Sequence, residues 1–208
     1  MRNALWVRNY PGNLRVMSDP KTINMEKPCL PFTENRKRDG IFMKTAIYPG
    51  SFDPVTTGHL NIIRRASRIF DKLIVCVMVN GGKQPMFSLE ERVELIKMVT
   101  EDLPNVTVDG SDALLAEYAK TIGDCVIVKG LRAGSDFEYE FQMAMINHKI
   151  NPELDTLFLT AEQQYTYLSS SMVKELGSYH VDLHDFLPER IIPVVERRIQ
   201  NIQGGNRT

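Results

Sequence analysis

Short apolar runs alternate with helical patterns through most of this chain of 208 residues. The clearest run is KLIVCVMVN, residues 72–80, which is apolar at almost every position. Strands of this kind are typical of a sheet that is covered on both sides. The strand-like runs, in chain order, are TAIYPG, KLIVCVMVN, NVTVDG, DCVIVKG and LDTLFLTA. Their alternation with helices predicts an α/β fold, with a parallel five-stranded sheet and helices on both faces, in a single domain.

Helix signals separate these runs. Ser88 followed by Glu91 is a capping-box signature, and Gly123 is placed to end the pattern before the fourth strand. The predicted helices are GHLNIIRRASRIF, SLEERVELIKMVTE, SDALLAEYAKTIG, SDFEYEFQMAMINHKI, SSSMVKELGSY and LPERIIPVVERRIQ.

The first 42 residues differ from the rest of the chain. They are rich in Arg, Asn, Pro and Lys, show no sustained period, and include the charged run NRKRDG. They lack the apolar core of a signal peptide, and Asp19, Glu26 and Glu34 are not typical of a transit peptide. We therefore expect residues 1–42 to be a flexible extension or a non-native start, and residues 43–203 to form the folded domain.

Charge and cysteine content narrow the classes of function. A net charge of −1 offers no overall basic field for nucleic acid. Cys29, Cys76 and Cys125 are scattered without the spacing of metal ligands, which is typical of reduced thiols. No apolar run approaches the roughly 20 residues that cross a bilayer. We therefore expect a cytoplasmic protein with neither a nucleic-acid nor a membrane partner.

The loop after the first strand, YPGSFDPVTTGH, carries the first candidate site. Ligands of parallel sheets gather beyond the carboxyl ends of the strands, so loops in this position are informative. Gly58 and His59 stand where a helix begins, and free backbone N–H groups there favour a phosphate. His59 could donate a hydrogen bond to a phosphoryl oxygen. An isolated Gly-His pair is, however, more often only a turn and a helix start.

Basic residues follow two other strands. Lys129 and Arg132, in KGLRAGSDFEYE, come directly after the fourth strand, and Lys83 follows the second strand in GGKQPMF. Lys provides a compact charge and Arg a planar fork, and both suit phosphate oxygens. Glu140 could meet ribose hydroxyls or simply face water. Viewed one at a time, such cations are usually solvated loop residues.

A serine cluster follows the fifth strand, in YTYLSSSMVK. Ser169, Ser170 and Ser171 offer hydroxyl and backbone donors at a helix start, which is a second possible anion cradle. The alternative is an ordinary N-cap. Together with the His and the basic side chains, the cluster indicates a polyphosphate ligand at one edge of the sheet.

Four segments resemble the phosphopantetheine adenylyltransferase family of bacterial coenzyme A synthesis. They are YPGSFDPVTTGH, KQPMFSLEERVEL, KGLRAGSDFEYEFQMAMIN and LSSSMVKE. The resemblance runs in order from about Lys44 to the last helix, and the extension has no place in it. It implies a Rossmann-like fold and Mg²⁺-dependent transfer of the adenylyl group of ATP to 4'-phosphopantetheine, giving dephospho-coenzyme A and pyrophosphate.

The resemblance also implies roles for individual residues. His59 would stabilise the α-phosphate, and Ser51 and Lys83 would hold the attacking phosphate with support from Lys129. Leu115 would line the pantetheine arm. Together with Ser51 and His59, the expected ATP contacts are Phe52, Gly130, Leu131, Arg132, Glu140, Tyr165, Ser169, Ser170 and Ser171. The expected catalytic set is His59, Lys83, Arg132 and Ser51, and the metal ligands are unknown.

Three positions depart from the usual family pattern. Ser51 stands where Thr is usual, Lys129 where Arg is common, and Tyr165 where Trp is frequent. Each substitution keeps a hydroxyl, a charge or an aromatic ring, although Lys129 loses bidentate geometry. The resemblance further implies a homohexamer and feedback inhibition by coenzyme A.

Two other functions stay open at this point. A related enzyme could use another acceptor, such as nicotinamide mononucleotide. A nucleotide-sensing module could keep the fold without the chemistry, although the presence of His59, Lys83 and Arg132 argues against it.

Overall fold

The computed structural model describes residues 6–8, 14–16, 44–79, 82, 84–132 and 134–205. Contacts divide the chain into two units, Met1–Ile41 and Phe42–Thr208. In the first unit, β1 (Trp6–Arg8) pairs antiparallel with β2 (Leu14–Val16). Most of the predicted extension 1–42, and the predicted domain start at residue 43, lie outside the described residues, so both stay predictions.

The second unit alternates strands and helices until its last two helices, which follow one another without a strand between them. Its elements are β3 (Thr45–Gly50), α1 (Thr57–Ile69), β4 (Lys72–Met78), α2 (Leu89–Thr100), β5 (Val106–Ser111), α3 (Leu115–Ile122), β6 (Cys125–Leu131), α4 (Gly134–Ile150), β7 (Asp155–Thr160), α5 (Ser170–Ser178) and α6 (Ile192–Gly205). Short 3-10 turns lie at Gln163–Tyr165 and Glu189–Ile191.

The five strands of this unit form one parallel sheet in the order β5-β4-β3-β6-β7. The chain runs from β3 outward through β4 to β5, and then returns to the other side of β3 to form β6. The order therefore reverses between β3 and β6, which is where sheets of this kind bind ligands. The predicted five-stranded α/β architecture is confirmed.

Apolar residues cover both faces of the sheet. On β3, Ala46 and Tyr48 belong to a core cluster that includes residues of α1 and α2, while Ile47 belongs to a second cluster with residues of α3. Alternate residues of a strand point to opposite faces, so each face needs its own layer of helices. The expectation of helices on both faces is confirmed.

Two helices differ from their predicted bounds. The pattern SDALLAEYAKTIG yields a helix only from Leu115, because Ser111 still pairs with Met78 as the last residue of β5. The last pattern begins as a 3-10 turn, and α6 then continues beyond Gln200 to Gly205. Among the described residues, no helix is both long enough and apolar enough to cross a membrane.

Candidate active site

A cavity of about 670 Å³ opens at the carboxyl ends of the central strands. It is lined by twelve of the predicted site residues. From the first loop and α3 these are Ser51, Phe52, His59 and Leu115. From the end of β6 and the segments that follow β6 and β7 they are Lys129, Gly130, Arg132, Glu140, Tyr165, Ser169, Ser170 and Ser171. Segments that are distant in the sequence thus converge on one cavity.

Two predicted residues are not among the described lining of this cavity. Leu131 is the last residue of β6, and its carbonyl oxygen accepts the N–H of Ala161 at 2.7 Å, which joins β6 to the segment after β7. Lys83 lies outside the described residues. Its contact with a substrate therefore stays a prediction.

His59 is held by the start of its own helix. Thr56 is the N-cap of α1, and its hydroxyl oxygen accepts the His59 backbone N–H at 3.3 Å. In return, the Thr56 backbone N–H donates to Nδ1 of the imidazole at 3.1 Å. Because Nδ1 accepts this hydrogen bond, the ring proton of the neutral imidazole lies on Nε2. His59 is therefore prepared to donate from Nε2.

The surroundings of His59 keep its imidazole uncharged. Burial, and secondly the positive charge of Arg132, lower the pKa of His59 from 6.5 to about 4. Burial disfavours the charged form, and a nearby cation disfavours it further. At neutral pH the side chain is thus a neutral donor, which suits hydrogen bonding to a phosphoryl oxygen without proton transfer.

The Phe52 ring supports the imidazole from the side. It is 1% exposed and meets the rings of both Tyr48 and His59 edge-on, with centroids 5.4 and 5.1 Å apart. A Cβ atom at Gly50 would lie 2.8 Å from this ring, so glycine is required there. Phe52 itself has a φ of 46°, in the left-handed region. The predicted contact of Phe52 with ATP stays a prediction.

The two predicted cations of this region differ in position and environment, because Lys129 lies within β6, where it pairs with Phe158, and only Arg132 follows the strand. The Lys129 ammonium lies 3.1 Å from the Glu140 carboxylate, and each side chain is only about a fifth exposed. This pairing compensates part of the Lys129 charge. Arg132 is exposed and donates to the Leu168 carbonyl oxygen at 2.8 Å. Arg132 therefore connects the loop after β6 to the segment that carries the serines.

The serines form the start of α5 at the cavity. Ser169 is the N-cap, and its hydroxyl oxygen accepts the Met172 N–H at 3.1 Å. The Ser170 hydroxyl donates to the Pro54 carbonyl oxygen at 2.8 Å, which joins α5 to the first loop. Ser171 is exposed at the same helix start. Free backbone N–H groups of the first helical turn remain for an anion.

Several cavity residues were missed by the sequence reasoning. Thr56, Tyr48, Tyr139 and Met143 also line the cavity. Thr56 could have been found, since it occupies the N-cap position three residues before His59. Tyr139 and Met143 are four residues apart on α4, which places them on one helix face.

Comparisons with known proteins find relatives that match most of the second unit. A family model for cytidylyltransferase-like proteins matches residues 47–176. The phosphopantetheine adenylyltransferase of Caldanaerobacter subterraneus subsp. tengcongensis is 56% identical over 147 residues, covering 71% of this chain and 92% of that protein. The phosphopantetheine adenylyltransferase of Lachnoclostridium phytofermentans is 51% identical over 153 residues, covering 74% and 94%.

A solved structure shares the fold at lower identity. A candidate nicotinate-nucleotide adenylyltransferase from Vibrio parahaemolyticus superposes with a TM-score of 0.54 at 18% identity, and covers 76% of this chain and 92% of that one. At this identity the similarity concerns the fold alone.

Proposed function

The chain belongs to the phosphopantetheine adenylyltransferases, nucleotidyltransferases of coenzyme A biosynthesis, and we propose on that premise that it works by direct in-line transfer. The phosphate of 4'-phosphopantetheine attacks the α-phosphorus of ATP. The bond from this phosphorus to the bridging oxygen of the β-phosphate breaks, so that dephospho-coenzyme A forms and pyrophosphate leaves. The supporting observation is the convergence of His59, Arg132 and the start of α5 on one cavity.

The reaction needs no nucleophile from the enzyme. Catalysis of such a transfer is mostly alignment of the reactants and stabilisation of charge in the transition state. A cavity of about 670 Å³ with donors on several sides is suited to both tasks.

His59 is proposed to act on the α-phosphate. Its Nε2–H donates to a non-bridging oxygen, where negative charge accumulates as the transfer proceeds. Because Thr56 and Phe52 already hold the ring, little reorganisation is needed at that moment.

Arg132 and the start of α5 are proposed to hold the outer phosphates of ATP. The guanidinium offers a planar fork, and the α5 helix offers backbone N–H groups with the positive end of its dipole. The hydrogen bond from Arg132 to the Leu168 carbonyl keeps the two groups adjacent. Glu140 and Tyr165, which also line the cavity, are proposed to contact the nucleoside part.

The acceptor phosphate is proposed to lie between Ser51, Lys83 and Lys129. The described lining of the cavity also has an apolar part, which includes Met78, Leu114 and Leu115. This apolar part fits the extended pantetheine arm.

Mg²⁺ is the proposed cofactor. Among the residues that the structure describes, no three or more His, Cys, Asp or Glu side chains are grouped to hold a metal ion. Mg²⁺ keeps several waters and is commonly held by one or two carboxylates together with substrate phosphates. Glu140 is the one acidic side chain in the described lining, and it is paired with Lys129, so the ion would be held mainly by the phosphates of ATP and by water. Bound there, Mg²⁺ would neutralise charge on the departing pyrophosphate.

Assembly, regulation and location are further proposals. A homohexamer is supported by the apolar surface of α4, where Phe137, Phe141, Met145 and Ile146 are exposed. Feedback inhibition by coenzyme A is supported by its pantetheine arm, which would compete for the apolar part of the lining at Leu115. A cytoplasmic location is supported by the free thiols of Cys76 and Cys125.

A pyrophosphate-release assay tests the reaction. ATP, Mg²⁺ and phosphopantetheine should give pyrophosphate and dephospho-coenzyme A, with and without residues 1–42. Nicotinamide mononucleotide in place of phosphopantetheine should give little product. Preference for that mononucleotide would assign a different acceptor, and absence of product with either would support a binding role.

A further inference from the structure

Two buried charged side chains join the first loop to the start of α2. Asp53 is 6% exposed and Arg92 is 4% exposed. Burying a charge costs free energy unless it is paired or hydrogen-bonded. Both charges meet this requirement largely through backbone groups of another segment, so their partners indicate what they hold in place.

The Asp53 carboxylate binds the backbone just before α2. It accepts the N–H of Met86, at 3.1 and 3.0 Å from its two oxygens, and the N–H of Phe87 at 3.0 Å. Its remaining described contact is the Lys174 ammonium, at 2.9 Å. A carboxylate that accepts several N–H groups fixes the geometry of that backbone relative to its own.

Arg92 makes the reciprocal connection. Its guanidinium donates to the Ser51 carbonyl oxygen at 2.9 Å and, within its own helix, to the Ser88 carbonyl oxygen at 3.2 Å. Ser51 is the residue assigned to the acceptor phosphate, and it stands two positions before Asp53. The loop is thus tied on both sides of Phe52, at Ser51 by Arg92 and at Asp53 by the backbone before α2.

A third side chain supports the same segment. Arg198 of α6 donates to the Met86 carbonyl oxygen at 2.7 Å, and its guanidinium lies 4.7 Å from the centre of the Phe87 ring. The segment at Met86 and Phe87 is therefore itself anchored to the body of the domain. Contacts with this segment can fix the position of the first loop, because the segment is itself held in place.

We propose that Asp53 and Arg92 are positioning residues for the transfer, and that they hold Ser51 at the acceptor phosphate. Neither is among the described residues that line the cavity, since their polar groups are turned to backbone partners and, at Asp53, to Lys174. This role rests on the proposed function, because it needs Ser51 to bind the acceptor. Displacement of a positioned group by about 1 Å costs up to a hundredfold in rate.

Asp53→Asn is the first test. The amide keeps the size of the side chain, but its NH₂ group replaces one of the two oxygens. Since the Met86 nitrogen lies 3.1 and 3.0 Å from those oxygens, a donor then faces the Met86 N–H in either orientation of the amide. We expect kcat/KM for phosphopantetheine to fall about tenfold. In a Ser51→Ala background, the same change should cost less than about twofold, because the group it positions is gone. If Asp53→Asn lowers kcat/KM by the same factor with and without Ser51→Ala, the proposal is wrong, since a general loss of stability acts in either background.

Lys174→Met is the matched control. It removes the ion pair with Asp53 and leaves the two backbone hydrogen bonds in place. We expect kcat/KM within about twofold of the wild type. A loss equal to that of Asp53→Asn would assign the effect to the ion pair and overturn the role of the Met86 and Phe87 contacts.

Arg92→Leu tests the contact on the other side of Phe52, at the Ser51 carbonyl oxygen. If Asp53→Asn does not fold, this variant tests the positioning role. Its effect on kcat/KM should also be smaller in the Ser51→Ala background. The same factor in both backgrounds would again contradict the proposal. If the wild type releases no pyrophosphate with phosphopantetheine, the proposed function fails as well. An active wild type with unchanged Asp53→Asn and Arg92→Leu variants overturns the positioning role alone.

Discussion

At the residue scale, the state of His59 is set by its neighbours. The Thr56 N–H occupies Nδ1, the Phe52 ring lies against the imidazole, and burial with Arg132 keeps it neutral. The motif predicted that a His would stand at a helix start. It did not show which nitrogen carries the proton, because that depends on the hydrogen bond from the Thr56 N–H, which forms only in the folded protein.

Replacement of this side chain tests its role in the chemistry. We expect His59→Ala to lower kcat by about a hundredfold or more, because one preorganised donor to the transition state is lost. ATP should still bind, since Arg132 and the start of α5 are proposed to hold the outer phosphates. Steady-state kinetics and equilibrium binding measure the two effects. His184→Ala, at an exposed histidine, is the control and should leave kcat unchanged.

Titration of His59 tests the neutral state directly. In the free enzyme we expect the NMR titration midpoint of His59 at about pH 4. His184 is the reference, because its hydrogen bond with Asp182 raises its pKa above the ordinary value. An unfolded His takes up a proton near pH 6.5, and the folded one does not until about pH 4. This group therefore lowers stability as pH falls between those values. A midpoint near 6.5 for His59 would contradict the neutral donor.

At the element scale, helix starts and helix contacts position the site. The start of α5 reaches the cavity because α5 packs on α6 through Gly177. A Cβ atom at Gly177 would overlap the Ile199 side chain and would lie 3.4 Å from Leu183. The sequence suggested only a helix at this position, since no local pattern shows which residue faces another helix.

Gly177→Ala tests this packing. Alanine favours the helix, but overlap with Ile199 should dominate and destabilise the protein by about 1–3 kcal/mol. Denaturant unfolding measures the change. Gly204→Ala is the matched control, since nothing lies within 4 Å of a Cβ there. It should be neutral or stabilising by about 0.5 kcal/mol, and equal losses in both variants would contradict the packing explanation.

At the scale of the whole molecule, the apolar surface of α4 belongs to a larger assembly in our proposal. Phe137 and Phe141 stack with centroids 5.7 Å apart, and Phe137 also meets Phe158 of β7. Exposed aromatic groups of this kind are typical of interaction surfaces.

Met145→Glu tests the assembly. A charge in the apolar surface should shift the protein to smaller species in analytical ultracentrifugation, because a buried unpaired carboxylate is costly. Ile69→Glu is the control, as both side chains are 57% exposed and Ile69 lies on α1. A wild type that is already monomeric, or equal shifts in both variants, would contradict the proposed interface.

The sequence by itself determined the order of strands and helices in the second unit and the edge of the sheet at which the cavity opens. Both follow from local patterns, since apolar periodicity specifies elements, and parallel strands bring their carboxyl ends to one edge. The tertiary structure decided the contacts between segments. Asp53 meets Phe87 across 34 positions and Lys174 across 121, and Arg92 meets Ser51 across 41. Such pairings arise from packing in three dimensions, which leaves no periodic trace in the chain.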